Sequence, residues 1–296
     1  MKKTTTTVFA ILILFTMMNT LFAQNPNLSI YELQYTENSD GSSYYDEQIV
    51  DCNGGIVIHK WSRGRERLVL YDPNYPDGWG GVLVKGPFDS NVFEDVNVGD
   101  WIRLEDVTVY EELNKARGNT TLFYDEDSSC PRLSRGNELP APLVVDVNNI
   151  AVVYNDVNET CYVTDHRAEK YEAMYIQVRN VTVGDYNDAG SHRDNYSLED
   201  NNDPNIYCWA SDYMNIDKPP DPEKYMPVVQ TGQHFCSVSG ILEQYTQLSY
   251  DWDYYQLLTT YTGDLKRYTP ADLDGDCMVD FSDFAVFCQY WLWGTE

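Results

Sequence analysis

The chain has 296 residues, 14% of them aromatic, and its 47 acidic against 20 basic residues give a formal charge of −27. A surface this acidic repels phosphate backbones, so composition argues against nonspecific nucleic-acid binding and makes isolated carboxylate pairs uninformative. The length suffices for two modest domains and a tail.

At the start, Lys2 and Lys3 precede an apolar run over 8–15, followed by Met17, Met18, Leu21, Phe22 and Ala23. A short basic start, a short apolar core and a small residue near 23 read as a secretory signal peptide over residues 1–23. The run is too short and interrupted for a good membrane span. Its removal leaves 18 basic residues against 47 acidic ones, a formal charge of −29. The expected location is extracellular or at the cell surface, where disulfides are permitted. Cys52, Cys130, Cys161, Cys208, Cys236, Cys277 and Cys288 include no CxxC pair and no Cys/His group with zinc spacing. Their odd number leaves at least one thiol free or paired between chains, and the pairing stays open.

The body is rich in Tyr, Val, Ile and Thr, which favour strands. Residues 48–59 read as strand, Gly turn, strand, and 67–72, 101–110 and 120–124 continue the pattern. A second copy runs through 175–183, 195–200, 235–245 and 254–258. A short helix is expected near 165–173, and long helical periodicity is nearly absent before residue 281. Each copy has a glycine turn before its long strand, at Gly99 and Gly232, 133 residues apart. That period is the size of a domain. Pro140 and Pro142 mark a break between the copies.

Short strands around a "V-x-x-G-D" turn at Val96–Asp100 resemble a small Greek-key barrel of the OB type. The stretches 172–183 and 237–245 carry a likeness to tandem OB-like modules of secreted bacterial nucleases and related exported proteins. The expected organisation is a first OB-like barrel over 24–145, a second over 146–266 and a terminal unit over 267–296. A pair of β-sandwich domains is the alternative that the strand count allows.

No catalytic constellation is legible. His59, His166, His192 and His234 stand in no HExxH or triad-like context, and there is no GxSxG elbow or phosphate-binding glycine loop. Seven Trp and 24 Tyr exceed what two small barrels need for their cores. Exposed rings stack on bases or sugars. Trp79 sits among glycines and Trp252 alternates with Tyr254, so these three are candidate ligand contacts, with a sugar or protein ligand favoured by the neighbouring acids.

The C-terminal stretch is the most specific. Asp272, Asp274, Asp276, Asp280 and Asp283 fall at positions 1, 3, 5, 9 and 12 of a loop, and Met278 supplies a backbone carbonyl at position 7. That spacing wraps oxygens around one Ca²⁺. Carboxylates so close repel one another without a cation among them. An apolar helix follows, to Trp293. With Asp at position 12 and Pro270 in place of an entering helix, residues 270–293 resemble a single type I dockerin repeat. The resemblance implies a cohesin-like protein partner, contacted through Phe281 and Ser282.

The sequence therefore reads as a secreted, non-catalytic binding or scaffolding protein. It is expected to have two OB-like barrels and a calcium-binding, dockerin-like end, associated with extracellular polysaccharide degradation or cell-surface assembly. The alternative is an accessory or degenerate member of an extracellular nuclease or glycoside hydrolase system.

Overall fold

A computed structural model describes residues 25–62, 64–111, 119–154, 162–163, 166–187, 195–216, 229–247, 252–269, 271–273 and 279–293. Residues 1–23, expected as a signal peptide, and His192, Asp274, Asp276 and Met278 lie outside them.

The first barrel is made by β1 (Ile49–Ser62), β2 (Arg65–Tyr71), β3 (Gly81–Phe88), β4 (Trp101–Glu111) and β5 (Thr120–Phe123). Neighbours run β1-β2-β3-β5-β4, and β4 returns to pair with β1. All pairings around the ring are antiparallel except β3 with β5, which is parallel. The second barrel repeats this with β6 (Tyr175–Asn187), β7 (Asn195–Asp200), β8 (Tyr207–Ser211), β9 (His234–Gln247) and β10 (Trp252–Leu258). There β9 closes on β6, and β8 with β10 is the parallel pair. Closed five-stranded rings of this order are the OB arrangement. Short added strands extend each sheet to seven.

The two glycine turns are structurally equivalent. Gly99 and Gly232 have φ of 87° and 80°, a region glycine enters without steric cost. Each donates its N–H to the first strand of its barrel, Gly99 to Val57 O at 2.8 Å and Gly232 to Val183 O at 2.7 Å.

Two strands escape the sequence reading. In β3, Gly81, Gly86 and Pro87 look like turn residues, and β8 has only five residues. The helix expected near 165–173 is a single 3₁₀ turn, Glu169–Tyr171. A short helix not expected, α1 (Ile30–Gln34), starts on a reciprocal cap between Ser29 and Glu32 and buries Ile30 and Leu33.

Strand alternation sorts side chains between two cores. On β2, Leu68 and Leu70 point into the first barrel with Val57, Val84, Ile102 and Leu104. Val69 and Tyr71 point outward and join Ile56, Leu83 and the interior of the second barrel in one continuous cluster. The barrels are therefore packed face to face. Gly81 makes the close approach possible, because a Cβ there would run into the backbone of Ala173. Polar bonds stitch the joint: Gln244 N donates to Asn119 Oδ1 at 2.9 Å, and Trp79 N to Lys170 O at 2.6 Å.

Candidate functional site

Where the joint opens at one end, a cleft of about 290 Å³ remains between the barrels. Trp61, Arg67, Leu83 and Lys85 form one wall. Strand register sets Trp61 opposite Arg67 and Arg67 opposite Lys85, so the three make a row across β1, β2 and β3. The Arg67 guanidinium lies 5.7 Å from the Trp61 ring centre. Trp61 is 7% exposed, and its indole N–H has no hydrogen-bond partner among the described residues.

The second barrel supplies the other wall: Asn195, Ser211, Tyr213, Glu243, Tyr245 and Gln256. These side chains are locked together. Asn195 Nδ2 donates to Gln256 Oε1 and to Tyr254 Oη, both at 3.1 Å, and Gln256 Nε2 donates to Glu243 Oε2 at 2.7 Å. The wall is thus rigid and satisfied before any ligand arrives, which lowers the entropy cost of binding.

Behind this wall lie the rings of Tyr254 and Trp209, 6.2 Å apart, with Tyr245 at 5.4 Å from Tyr254. Tyr254 is only 3% exposed. It supports the cleft through Asn195 and Tyr245. Trp252 pairs with Gln247 at the start of β10, and its side chain lies outside the description.

Trp79 is half-buried at the joint, where its backbone N–H meets Lys170, and it does not line the cleft. Its ring meets Tyr35 edge-on at 5.5 Å, and Tyr35, Tyr31 and Tyr75 stack in series. The cleft brings together none of Trp79, Trp252 and Tyr254 as lining groups.

The joint also holds carboxylates. Glu111 takes hydrogen bonds from Ser43 N and Thr120 Oγ1, both at 2.8 Å, and burial pushes its pKa up to about 7. Glu172 is held well above the usual carboxylate range by burial and then by Glu169 and Glu111 nearby. Tyr255 Oη donates to Glu169 at 2.7 Å, and the His166 ring, 3.5 Å from Glu169, has its pKa raised mainly by that carboxylate. His59 is buried and pushed down to about 4, so its neutral ring donates Nε2–H to Met214 O at 3.0 Å.

In the terminal unit, Asp280 and Asp283 cap helix α2 (Phe281–Trp293). Asp280 Oδ1 accepts from Ser282 N, and Asp283 Oδ2 accepts from Asp280 N, each at 2.7 Å. Asp283 Oδ1 also accepts from Leu273 N at 2.5 Å, tying loop position 12 to position 2. Asp283 is 3% exposed, and Asp272 Oδ2 sits 3.5 Å from Cys236 Sγ on β9. These contacts fit a closed loop with a carboxylate at its centre. Among the described residues alone, no group of three or more His, Cys, Asp or Glu is arranged to hold a metal.

Helix α2 does not bury its apolar side chains. Phe281 is 89% exposed, Trp291 65%, and Ser282, Phe284, Phe287 and Tyr290 are also exposed. Cys236 is disulfide-bonded, and Cys52, Cys130, Cys208 and Cys288 are free. No helix among the described residues is long and apolar enough to cross a membrane.

Neither a protein-family profile nor a curated protein matches the chain. Solved structures similar to it include the OB domain of a Methanosarcina mazei protein, at 17% identity over 31% of this chain and 78% of that one, TM-score 0.25. A murine DNA-binding protein bound to double-stranded DNA is similar at 9% identity over 71% and 89%, TM-score 0.29. Fission yeast Pot1 with single-stranded DNA is similar at 12% identity over 77% and 88%, TM-score 0.28.

Two expectations are corrected. The solved structures similar to the chain include OB domains and nucleic-acid-bound proteins, and none of them is a polysaccharide-degrading protein, so polysaccharide breakdown is dropped from the reading. The charge-based expectation against nucleic acid finds no support among them. Net charge is a sum over the whole chain and does not describe the lining of the cleft, where Arg67 and Lys85 stand together with Glu243.

Proposed function

We propose that this chain is an exported, non-catalytic binding protein whose two OB-like barrels hold a small ligand in the cleft between them. The observation that carries the reading is the pairing of two unlike walls. Trp61, Arg67 and Lys85 face a prearranged amide, carboxylate and tyrosine wall. Ligand pockets commonly combine apolar and aromatic lining with a few convergent polar groups. The disulfide at Cys236 supports an oxidising compartment.

The terminal unit, in the same reading, loads one Ca²⁺ through Asp272, Asp274, Asp276, Asp280, Asp283 and the Met278 carbonyl. Its exposed helix docks an apolar groove on a protein partner, as its likeness to a dockerin repeat suggests. The exposed rings of α2 support this, because a solvent-facing patch of that size on a soluble chain marks an interaction site.

A thermal-shift screen of the full chain against a broad set of small metabolites tests the cleft. At least one compound should raise the melting temperature, and the shift should vanish in Tyr245→Ala and Gln256→Ala. No shift by any compound, or a shift that both variants retain, would count against it.

A further inference from the structure

We infer that the disulfide at Cys236 closes on Cys277 and staples the calcium loop to the second barrel, so that this bond sets how well the loop holds its cation. The pairing stands on the structure and the cysteine count, and the coupling to the cation rests on the calcium reading of the terminal unit.

Two cysteines are candidates for the partner. The chain has seven. Cys236 is disulfide-bonded, and Cys52, Cys130, Cys208 and Cys288 are free. The partner is therefore Cys161 or Cys277, both outside the described residues. Bridged cysteines have Cα atoms no more than about 7 Å apart, so the surroundings of Cys236 decide between them.

Those surroundings belong to the terminal unit. Cys236 lies at a register irregularity on β9, between Phe235, which pairs with Arg267, and Ser237, which pairs with Lys266. The chain leaves that pairing and comes back at Asp272, whose Oδ2 is 3.5 Å from Cys236 Sγ. Asp272 is position 1 of the loop and Cys277 is position 6. Asp283 accepts from Leu273 N at 2.5 Å and from Asp280 N at 2.7 Å, so the stretch that contains Cys277 starts and ends at one carboxylate.

Cys161 is anchored elsewhere. It adjoins Tyr162 on the short strand Tyr162–Val163, which lies against β10. β10 in turn pairs with β9 over Ile241–Gln247. At about 3.3 Å per residue, that pairing begins roughly 16 Å beyond Cys236 along the strand.

The place of Cys277 in the loop makes the bond compatible with the cation. Ligating groups fall at positions 1, 3, 5, 7, 9 and 12, which spares the side chain at position 6. Its neighbours Asp276 and Met278 are both ligands in the calcium reading. A bond at Cys277 holds the middle of the loop before the cation arrives, where a glycine would leave the backbone freer. Site rigidity is one of the means by which such loops tune their affinity.

Proteolysis of the full, non-reduced chain, read by mass spectrometry, tests the pairing. A linked pair of peptides carrying Cys236 and Cys277, which dithiothreitol separates, is expected. A bond from Cys236 to Cys161 or to any other cysteine, or a free Cys236, overturns the inference. Calcium titration of the parent and of Cys236→Ser/Cys277→Ser by calorimetry tests the coupling, and the variant should bind several-fold more weakly. Should the variant melt early, the parent titrated before and after reduction by dithiothreitol serves, with the same loss expected. Equal affinity with and without the bond overturns the coupling. A parent that binds no calcium overturns the coupling and the calcium reading together, while the peptide map still decides the pairing.

Discussion

Glu172 enters the joint from the lead-in to the second barrel and accepts the backbone N–H of Thr120, in the first, at 2.8 Å. The Thr120 hydroxyl meanwhile donates to Glu111 at 2.8 Å. One residue thus holds two buried carboxyls side by side, and Glu172 Oε2 has no hydrogen-bond partner among the described residues. Ionising both in so dry a place is costly, which is why burial dominates the upward shift at each.

A pH dependence follows, with a defined sign. A carboxyl raised above its unfolded-chain value stabilises the fold while protonated. For Glu111 that contribution is complete below about 4.5 and is lost as pH rises through about 7. The full loss is about 3 kcal/mol. His166, also raised, acts in the same direction, losing its contribution as pH rises above 6.5. His59, lowered to about 4, acts in the opposite direction: its contribution is present above 6.5 and lost as pH falls through 4. The whole-chain profile mixes these, but Glu111→Gln isolates one, since its amide oxygen can keep both bonds that Glu111 Oε1 receives. The variant should match the parent melting temperature near pH 4.5 and exceed it by several degrees at pH 8. Equal melting temperatures at pH 8 would contradict the account of the joint.

Gly81→Ala tests how closely the barrels approach. The added methyl meets backbone at Ala173, which cannot rotate away. Overpacking of this kind costs roughly 1–3 kcal/mol. Denaturant unfolding should show that loss. A neutral effect would mean that the barrels pack less tightly than the shared core implies.

Calcium titration of the full chain should give one binding event, with a dissociation constant on the order of 10⁻⁶ to 10⁻³ M. Asp272→Ala combined with Asp276→Ala should abolish it. The same heat in both proteins would leave Asp280 and Asp283 as a helix cap and nothing more.

Exposed rings on α2 should matter for association and not for folding. Phe284→Ser with Trp291→Ser should leave the unfolding free energy within the small range of surface substitutions, about 0.5 kcal/mol. A large drop, measured by calorimetry, would mean that the helix packs on the barrels in solution.

Most of the barrel framework is legible in the sequence because alternation and the glycine turns are local signals. Gly99 and Gly232 show it best, since one backbone requirement recurs at one topological position. β3 is lost because Gly81, Gly86 and Pro87 carry turn chemistry: Gly81 is required by the close approach of Ala173 in the other barrel, and Gly86 by Val92 and Phe93 in its own. β8, with only five residues, is too short to show a pattern. The cleft is illegible for another reason. Trp61, Arg67 and Lys85 lie on three strands, and only register brings them into one row. Alternation on β2 does place Arg67 on the outward face with Val69 and Tyr71, the one signal available in advance. Alternation with acids places Tyr254 on one strand face as a candidate ligand ring, whereas that face of β10 is covered by Trp209 and Tyr245.

Hydrogen exchange of the full chain, with and without a saturating compound that raises its melting temperature in the thermal-shift screen, tests the central claim that a ligand sits between the barrels. The account predicts added protection in β1–β3 around Trp61, Arg67 and Lys85, and in β9 and β10 around Glu243 and Gln256, at the same ligand concentration. Protection confined to one barrel, or appearing only at the terminal unit, would contradict it.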